Sequence, residues 1–161
     1  MPVPEFVTEL RSHVGTAPLW LSGVSAVVLD PSDRVLLGRR SDNGLWSVIS
    51  GILDPGEQPA PAAVREVLEE TGVVARVVAL ASVFSGGPVA YPNGDQAQYL
   101  SLTFLCEYVS GTARVADHES LDVGWFATDA LPQPHSPSSA DRIADALAAR
   151  ADPGTGPRFV R

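Results

Sequence analysis

The segment QPAPAAVREVLEETG, residues 58–72, constrains the fold more than any other part of this chain. Pro59 is tolerated in a first helical turn, where its missing N–H would have no intrahelical partner, and Gly72 suits the left-handed position that ends a helix. Between them Ala60, Ala63, Val64, Val67 and Leu68 recur at the spacing of one helical face, which predicts an amphipathic helix with that stripe against a core. The same wheel places Glu66, Glu69 and Glu70 on one arc of the roughly opposite face. They are three of only eight glutamates in the chain, so their crowding calls for a reason. Glu66 and Glu70 repel across one turn by roughly 0.2–0.5 kcal/mol, and anions in a last turn oppose the helix dipole by ~0.3–1 kcal/mol each. Such a cluster fits either a solvated acidic face or a hard divalent cation, Mg2+ or Mn2+, bound by carboxylate oxygens. The helix alone leaves both open.

Strand patterns surround this helix. LWLSGVSAVVLD (19–30) and RVLLGRR (34–40) are apolar or β-branched runs joined by turn formers, the pattern of a β-hairpin. LWSVIS (45–50) predicts a short strand, followed by the glycine- and proline-marked turn GILDPGEQP. VVARVVALASVF (73–84) and QYLSLTFLCEYV (98–109) predict antiparallel partners across a long loop, and DVGWFA (122–127) a shorter strand. Loops of that length in compact domains are often functional. Phe6, Val7, Leu10 and Val14 keep helical spacing in an N-terminal extension (1–17), ADRIADALAAR (140–150) predicts a further helix, and the tail (152–161) reads as loosely ordered. Strands interleaved with helices and no G-x-G-x-x-G predict one domain over 1–161, of α+β or mixed α/β layers rather than a Rossmann sheet.

Composition narrows the chemistry. A net charge of −8 repels nucleic acid and anionic lipid surfaces, while a small phosphorylated ligand remains open to local arginines or a cation. All eleven basic residues are arginine, which excludes a Schiff-base or P-loop lysine. Cys106 is the single cysteine and lies in an apolar strand pattern, so a core role is expected. His13, His118 and His135 form no ligand spacing. The N-terminus lacks the apolar core of an export signal and no run reaches membrane-spanning length, so a cytoplasmic location is expected.

Written out, GILDPGEQPAPAAVREVLEETGV (51–73) has Gly51, Glu57, Arg65, Glu66, Val67, Glu69, Glu70, Gly72 and Val73 at the fixed positions of the Nudix box, and the chain is identified by it as resembling the Nudix hydrolases. The likeness extends, less specifically, to VSAVVLDPSDRVLLGRR with WSVIS upstream and DHESLDVGWF downstream, about residues 20–130. One departure is Ile49–Ser50, where many relatives have Pro-Gly, which puts the turn before the box in question. The resemblance implies a Nudix-type α/β/α sandwich with a mixed β-sheet. It also implies metal-dependent cleavage of the pyrophosphate bond of a (d)NTP or an ADP-sugar such as ADP-ribose, by water attack on phosphorus. Mg2+ or Mn2+ is the implied cofactor. By the same resemblance Glu66, Glu69 and Glu70 bind the metal with the carbonyl of Gly51, and Glu66 is also a candidate base.

Glu57 and Arg65 form an orienting ion pair in this likeness, or Arg65 pairs with Glu69 one turn on. Glu119 offers a further carboxylate or is a solvated loop acid. Arg39 and Arg40 grip phosphate or are exposed strand-end charges, and Trp46, Tyr91 and Trp20 stack on a base or anchor core and loop. Pro88 and Tyr91 stand where the family hints at ADP-ribose and at dinucleoside polyphosphates respectively, so the two hints do not choose. A small-molecule nucleotide substrate is expected, with no nucleic acid polymer or membrane, and a homodimer is a family-level expectation. The competing class is a non-catalytic Nudix-fold nucleotide sensor or protein-binding domain, against which the intact acidic set argues. Glu69→Gln is expected to remove most turnover and leave the fold intact.

Overall fold

The computed structural model describes residues 3–160. In chain order the elements are α1 (Glu5–Val14), β1 (Leu19–Leu29), β2 (Arg34–Arg40), β3 (Trp46–Ser47), β4 (Ile49–Ile52), α2 (Pro59–Thr71), β5 (Val73–Ser85), β6 (Val89–Ala90), β7 (Gln96–Gly111), β8 (Ser120–Ala127), α3 (Pro137–Ala151) and β9 (Arg158–Phe159). They build one mixed sheet of order β3-β2-β1-β7-β5-β9, with β4 also on β1, β6 on β7 and β8 on β2. β1 and β7 run parallel from Leu19↔Ala97 to Leu29↔Glu107, whereas β5 and β7 are antiparallel.

Both faces of the centre of this sheet are covered, and the composition of β1 follows from that. Val24, Ala26 and Val28 pack with Ala62, Ala63 and Val67 of α2, while Val27 and Leu29 pack with Ile143 and Ala146 of α3. A strand buried on both sides needs apolar residues at every position, so AVVL shows no alternation. Cys106 belongs to the α2-side core, and burial pushes its thiol up to about 12, which makes it inert packing.

Helix α2 begins at Pro59 and stops at Gly72, whose left-handed backbone (φ 68°) lets its N–H reach the carbonyl of Leu68. Its orientation differs from the apolar-stripe expectation. The buried face comprises Ala62, Ala63, Glu66, Val67, Glu70 and Thr71, and Leu68 is 49% exposed. The helix is rotated so that two of the three glutamates point inward, because the strand they face offers room for them.

LWSVIS does not form a single strand. Trp46–Ser47 pairs with β2 and Ile49–Ile52 pairs with β1, a change of partner that breaks the ladder at Val48. Ile49 and Ser50 lie in register with Ala26 and Ser25, so this pair is strand rather than turn. The loop before β7 carries the short strand β6, closed by the Tyr91 N–H donating to Asp95 at 2.9 Å. In the tail, Arg158–Phe159 pairs in parallel with Ser82 and Val83, and Arg158 reaches Asp145 at 2.8 Å. α1 packs Val7 on Leu21 and Ala97, and its Arg11 donates to the carbonyl of Gln96 at 2.6 Å.

Candidate active site

The site begins at an absent side chain. A Cβ built on Gly51 of β4 would stand 2.2 Å from the carboxyl carbon and Oε1 of Glu66, so only glycine lets the α2 carboxylate settle over the strand. Glu66 is 1% exposed, and neither carboxylate oxygen has a hydrogen-bond partner among the described residues. Arg65 Nη2 lies 3.0 Å from Oε1, a charge contact without hydrogen-bond alignment. Burial raises the Glu66 pKa to about 7 against the opposing pull of Arg65. Glu70, one turn on, is 8% exposed, and burial followed by repulsion from Glu66 raises it to about 8. Two carboxylates thus share a buried corner.

On the other side of the same helix every charge is answered. Arg65 donates Nε and Nη2 to the two oxygens of Glu57 at 2.8 and 3.0 Å, and Nη1 to Glu69 at 3.0 Å. Both pairings left open by the sequence therefore coexist. The Asp54 N–H donates to Glu57 at 3.3 Å, and these hydrogen bonds, led by those of Arg65, hold the Glu57 carboxyl below its ordinary range. Hydrogen bonding to Glu57 raises the Arg65 guanidinium. Glu69 is exposed at the edge of this network.

Glu70, Arg40, Glu119 and Ser50 line a cavity of about 240 Å³. Arg40, Ser50 and Glu119 also border a larger cleft of about 880 Å³ over the sheet, with Gly51, Tyr91 and Tyr99 further along its wall. Arg40 is held by a bidentate pair with Asp42 at 2.9 and 2.7 Å. Glu119 is half-buried, its loop fixed by the Ser41 N–H donating to its carbonyl at 2.7 Å. The Tyr91 and Tyr99 hydroxyls are 2.7 Å apart.

Other sequence candidates lie elsewhere. Arg39 is exposed, donating to the Gly44 carbonyl at 3.2 Å, and lines neither cavity. Trp46 is a core residue, edge-on to Phe126 with ring centroids 4.7 Å apart, because pairing of β3 with β2 turns its ring toward the α3-side core. Trp20 is 58% exposed and outside both cavities. Tyr99, Gly23 and Ser25 line the cleft without having been singled out. The signal was the run of small and hydroxyl residues at alternate positions of β1 and β7.

Among the described residues no three His, Cys, Asp or Glu side chains are gathered as a complete ligand set. The corner nevertheless suits a hard cation, since the buried Glu66 oxygens have no donor and Glu70 adds a second carboxylate beside them.

Residues 20–146 match the model of the NUDIX domain. A MutT-like protein of Streptomyces ambofaciens is 34% identical over 130 residues, covering 81% of this chain and 79% of that protein. The 8-oxo-dGDP phosphatase NUDT18 of Mus musculus is 34% identical over 137 residues, covering 81% of this chain but 38% of the longer relative. The crystal structure of an ADP-ribose pyrophosphatase from Streptococcus suis 89-1591 shares the fold, with a TM-score of 0.69 over 87% of this chain and 98% of that one, at 23% identity. The chain belongs to the NUDIX family of pyrophosphohydrolases.

Proposed function

We propose that this chain hydrolyses the pyrophosphate bond of a nucleoside diphosphate-linked substrate, a (d)NTP or an ADP-sugar such as ADP-ribose, by attack of water on phosphorus. The observation that carries this reading is the Glu66 carboxylate, buried over Gly51 with neither oxygen hydrogen-bonded among the described residues, only Arg65 in charge contact, and Glu70 beside it. Glu66 and Glu70, with Glu69 and the Gly51 carbonyl, would hold Mg2+ or Mn2+, which supplies neutralisation of the diphosphate oxygens and acidification of a bound water. Glu66 is also a candidate base for the attacking water.

The paired Glu57–Arg65–Glu69 network holds α2 in the orientation that keeps Glu66 over Gly51. Arg40, fixed by Asp42 at the junction of the two cavities, presents a planar guanidinium to substrate phosphate, and Glu119 adds a carboxylate across from it. Tyr91 stands in the cleft, where a base can stack. The products are a nucleoside monophosphate and a second phosphorylated fragment. The test is incubation with Mg2+ or Mn2+ and a nucleotide panel in 18O-labelled water. A phosphate product carrying the label is expected, and absence of turnover across the panel with both ions overturns the reading.

A further inference from the structure

The floor of the larger cleft carries a line of hydroxyls that the chemistry at Glu66 does not use. Backbone register sets Ser50 of β4 opposite Ser25 of β1, Ser25 beside Thr103 of β7, Thr103 opposite Ser82 of β5, and Ser82 beside Arg158 of β9. Residues paired in this way share a face, so four strands present their hydroxyls in one row. At the usual ~4.8 Å between strands the row from Ser50 to Ser82 is about 14 Å long.

All four residues line the cleft. Ser25 and Thr103 are only 2% exposed and Ser82 4%, yet none of the four hydroxyls makes a side-chain hydrogen bond among the described residues. None of these oxygens is among the buried side-chain atoms left without a partner, so they open onto the cleft, where its contents can supply donors and acceptors.

The neighbouring row has a different character. There Ile52, Gly23, Ser101 and Phe84 stand side by side. A Cβ on Gly23 would meet nothing closer than 3.5 Å, so packing does not require the glycine, and its effect is to leave the floor open at that point. The cleft is thus hydroxyl-lined along one row and, in the next, open at Gly23 between the side chains of Ile52 and Phe84, with Tyr99 and Tyr91 also on its wall.

The hydroxyl row starts at Ser50, which borders the cavity of Glu70 and adjoins Gly51 beneath Glu66. The row lies on the α3 face of the sheet, opposite α2, and meets the acidic corner at the rim shared by the two cavities, Arg40, Ser50 and Glu119. We infer that Ser25, Thr103 and Ser82 are specificity-determining residues that bind the hydroxyls of a sugar carried on the nucleoside diphosphate, so that the favoured substrate is a nucleoside diphosphate sugar rather than a deoxynucleoside triphosphate. This rests on the function proposed above. Hydroxyls both donate and accept, which matches a polyol. A string of phosphate oxygens along the row would call for cations in register with it; Arg158 at the row's end is paired with Asp145 at 2.8 Å, while Arg40 and Arg142 stand elsewhere on the cleft wall, where they suit the diphosphate.

The test compares ADP-ribose, ATP and dATP in the wild type, Ser25→Ala and the isosteric Thr103→Val. The wild type should prefer ADP-ribose. Each variant should lower the ratio of kcat/KM for ADP-ribose over ATP about tenfold, through KM, with the melting temperature little changed. An unchanged ratio, or a wild type that prefers dATP, overturns the inference. A drop in the ATP over dATP ratio instead would place the nucleoside ribose on the row and overturn the assignment to the distal sugar. Calorimetric binding of ADP-ribose in EDTA reads the row without turnover and should weaken about tenfold in Thr103→Val. Equal affinity, or no wild-type binding, overturns the inference. Row-dependent binding without hydrolysis of any substrate would sink the hydrolase reading alone.

Discussion

The two sides of α2 put their glutamates to opposite uses. Outward, Glu57, Arg65 and Glu69 form a satisfied network whose geometry holds without help. Inward, Glu66 and Glu70 are buried beside each other with raised pKa values and, at Glu66, no hydrogen-bond donor. The difference separates scaffold from site: a charge held by hydrogen bonds within the protein fixes a conformation, whereas a buried pair of carboxylates offset only by the Arg65 contact to Glu66 is costly until something binds.

The largest effect expected from this contrast is on Glu66. Glu66→Gln should lower turnover by roughly 10³-fold, from loss of several kcal/mol of charge stabilisation, without lowering the unfolding midpoint in EDTA. Steady-state rates and denaturant titration read both parts. Glu69→Gln should lose most turnover but less, about 10–100-fold, with an unchanged midpoint because the residue is exposed. A Glu69→Gln enzyme as dead as Glu66→Gln would erase the distinction between the two sides. Gly51→Ala drives a methyl group to 2.2 Å from the Glu66 carboxyl and should destabilise the chain by about 1–3 kcal/mol, measured in urea, while also displacing the carboxylate and lowering turnover.

The smallest effect is in the pH dependence, where the two sides have opposite signs. Glu66 and Glu70 are raised from an ordinary 4.5 to about 7 and about 8, so the folded chain holds protons that the unfolded chain releases. Their contribution is fully present below about pH 4.5 and is lost as pH rises through 7 and 8. Glu57 is lowered, so its contribution is present above 4.5 and is lost as pH falls below it. In EDTA the melting temperature should fall by a few degrees between pH 5 and about 8.5, and Glu66→Gln should flatten that slope. A melting temperature that rises over this interval would contradict the inward pair's burial.

The box was legible because its signals are local. Pro59 and Gly72 bound the helix through backbone geometry that neighbours barely influence, and the spacing of Glu57, Arg65 and the three glutamates is set by residue count alone. The rotation of α2 was not legible. A helical wheel sends Leu68 inward and the acids outward, and only the missing side chain of Gly51, on another element, makes the reverse arrangement fit. Trp46 misled in the same way, since its ring direction depends on pairing between Arg39 and Trp46 across β2 and β3.

By itself the sequence determined the main helices and long strands, where α2 starts and ends, and which acids the family signature contains, because those properties arise from contacts within a turn or two; the split of LWSVIS and the short strands β6 and β9 depend on pairing partners elsewhere in the chain. The tertiary structure decided which acids are buried and which hydroxyls stand in line. Ser50, Ser25, Thr103 and Ser82 meet through strand register across one parallel and two antiparallel ladders, one of them bulged. Register is fixed by packing on both faces of the sheet, so no short stretch of chain contains the information that aligns them.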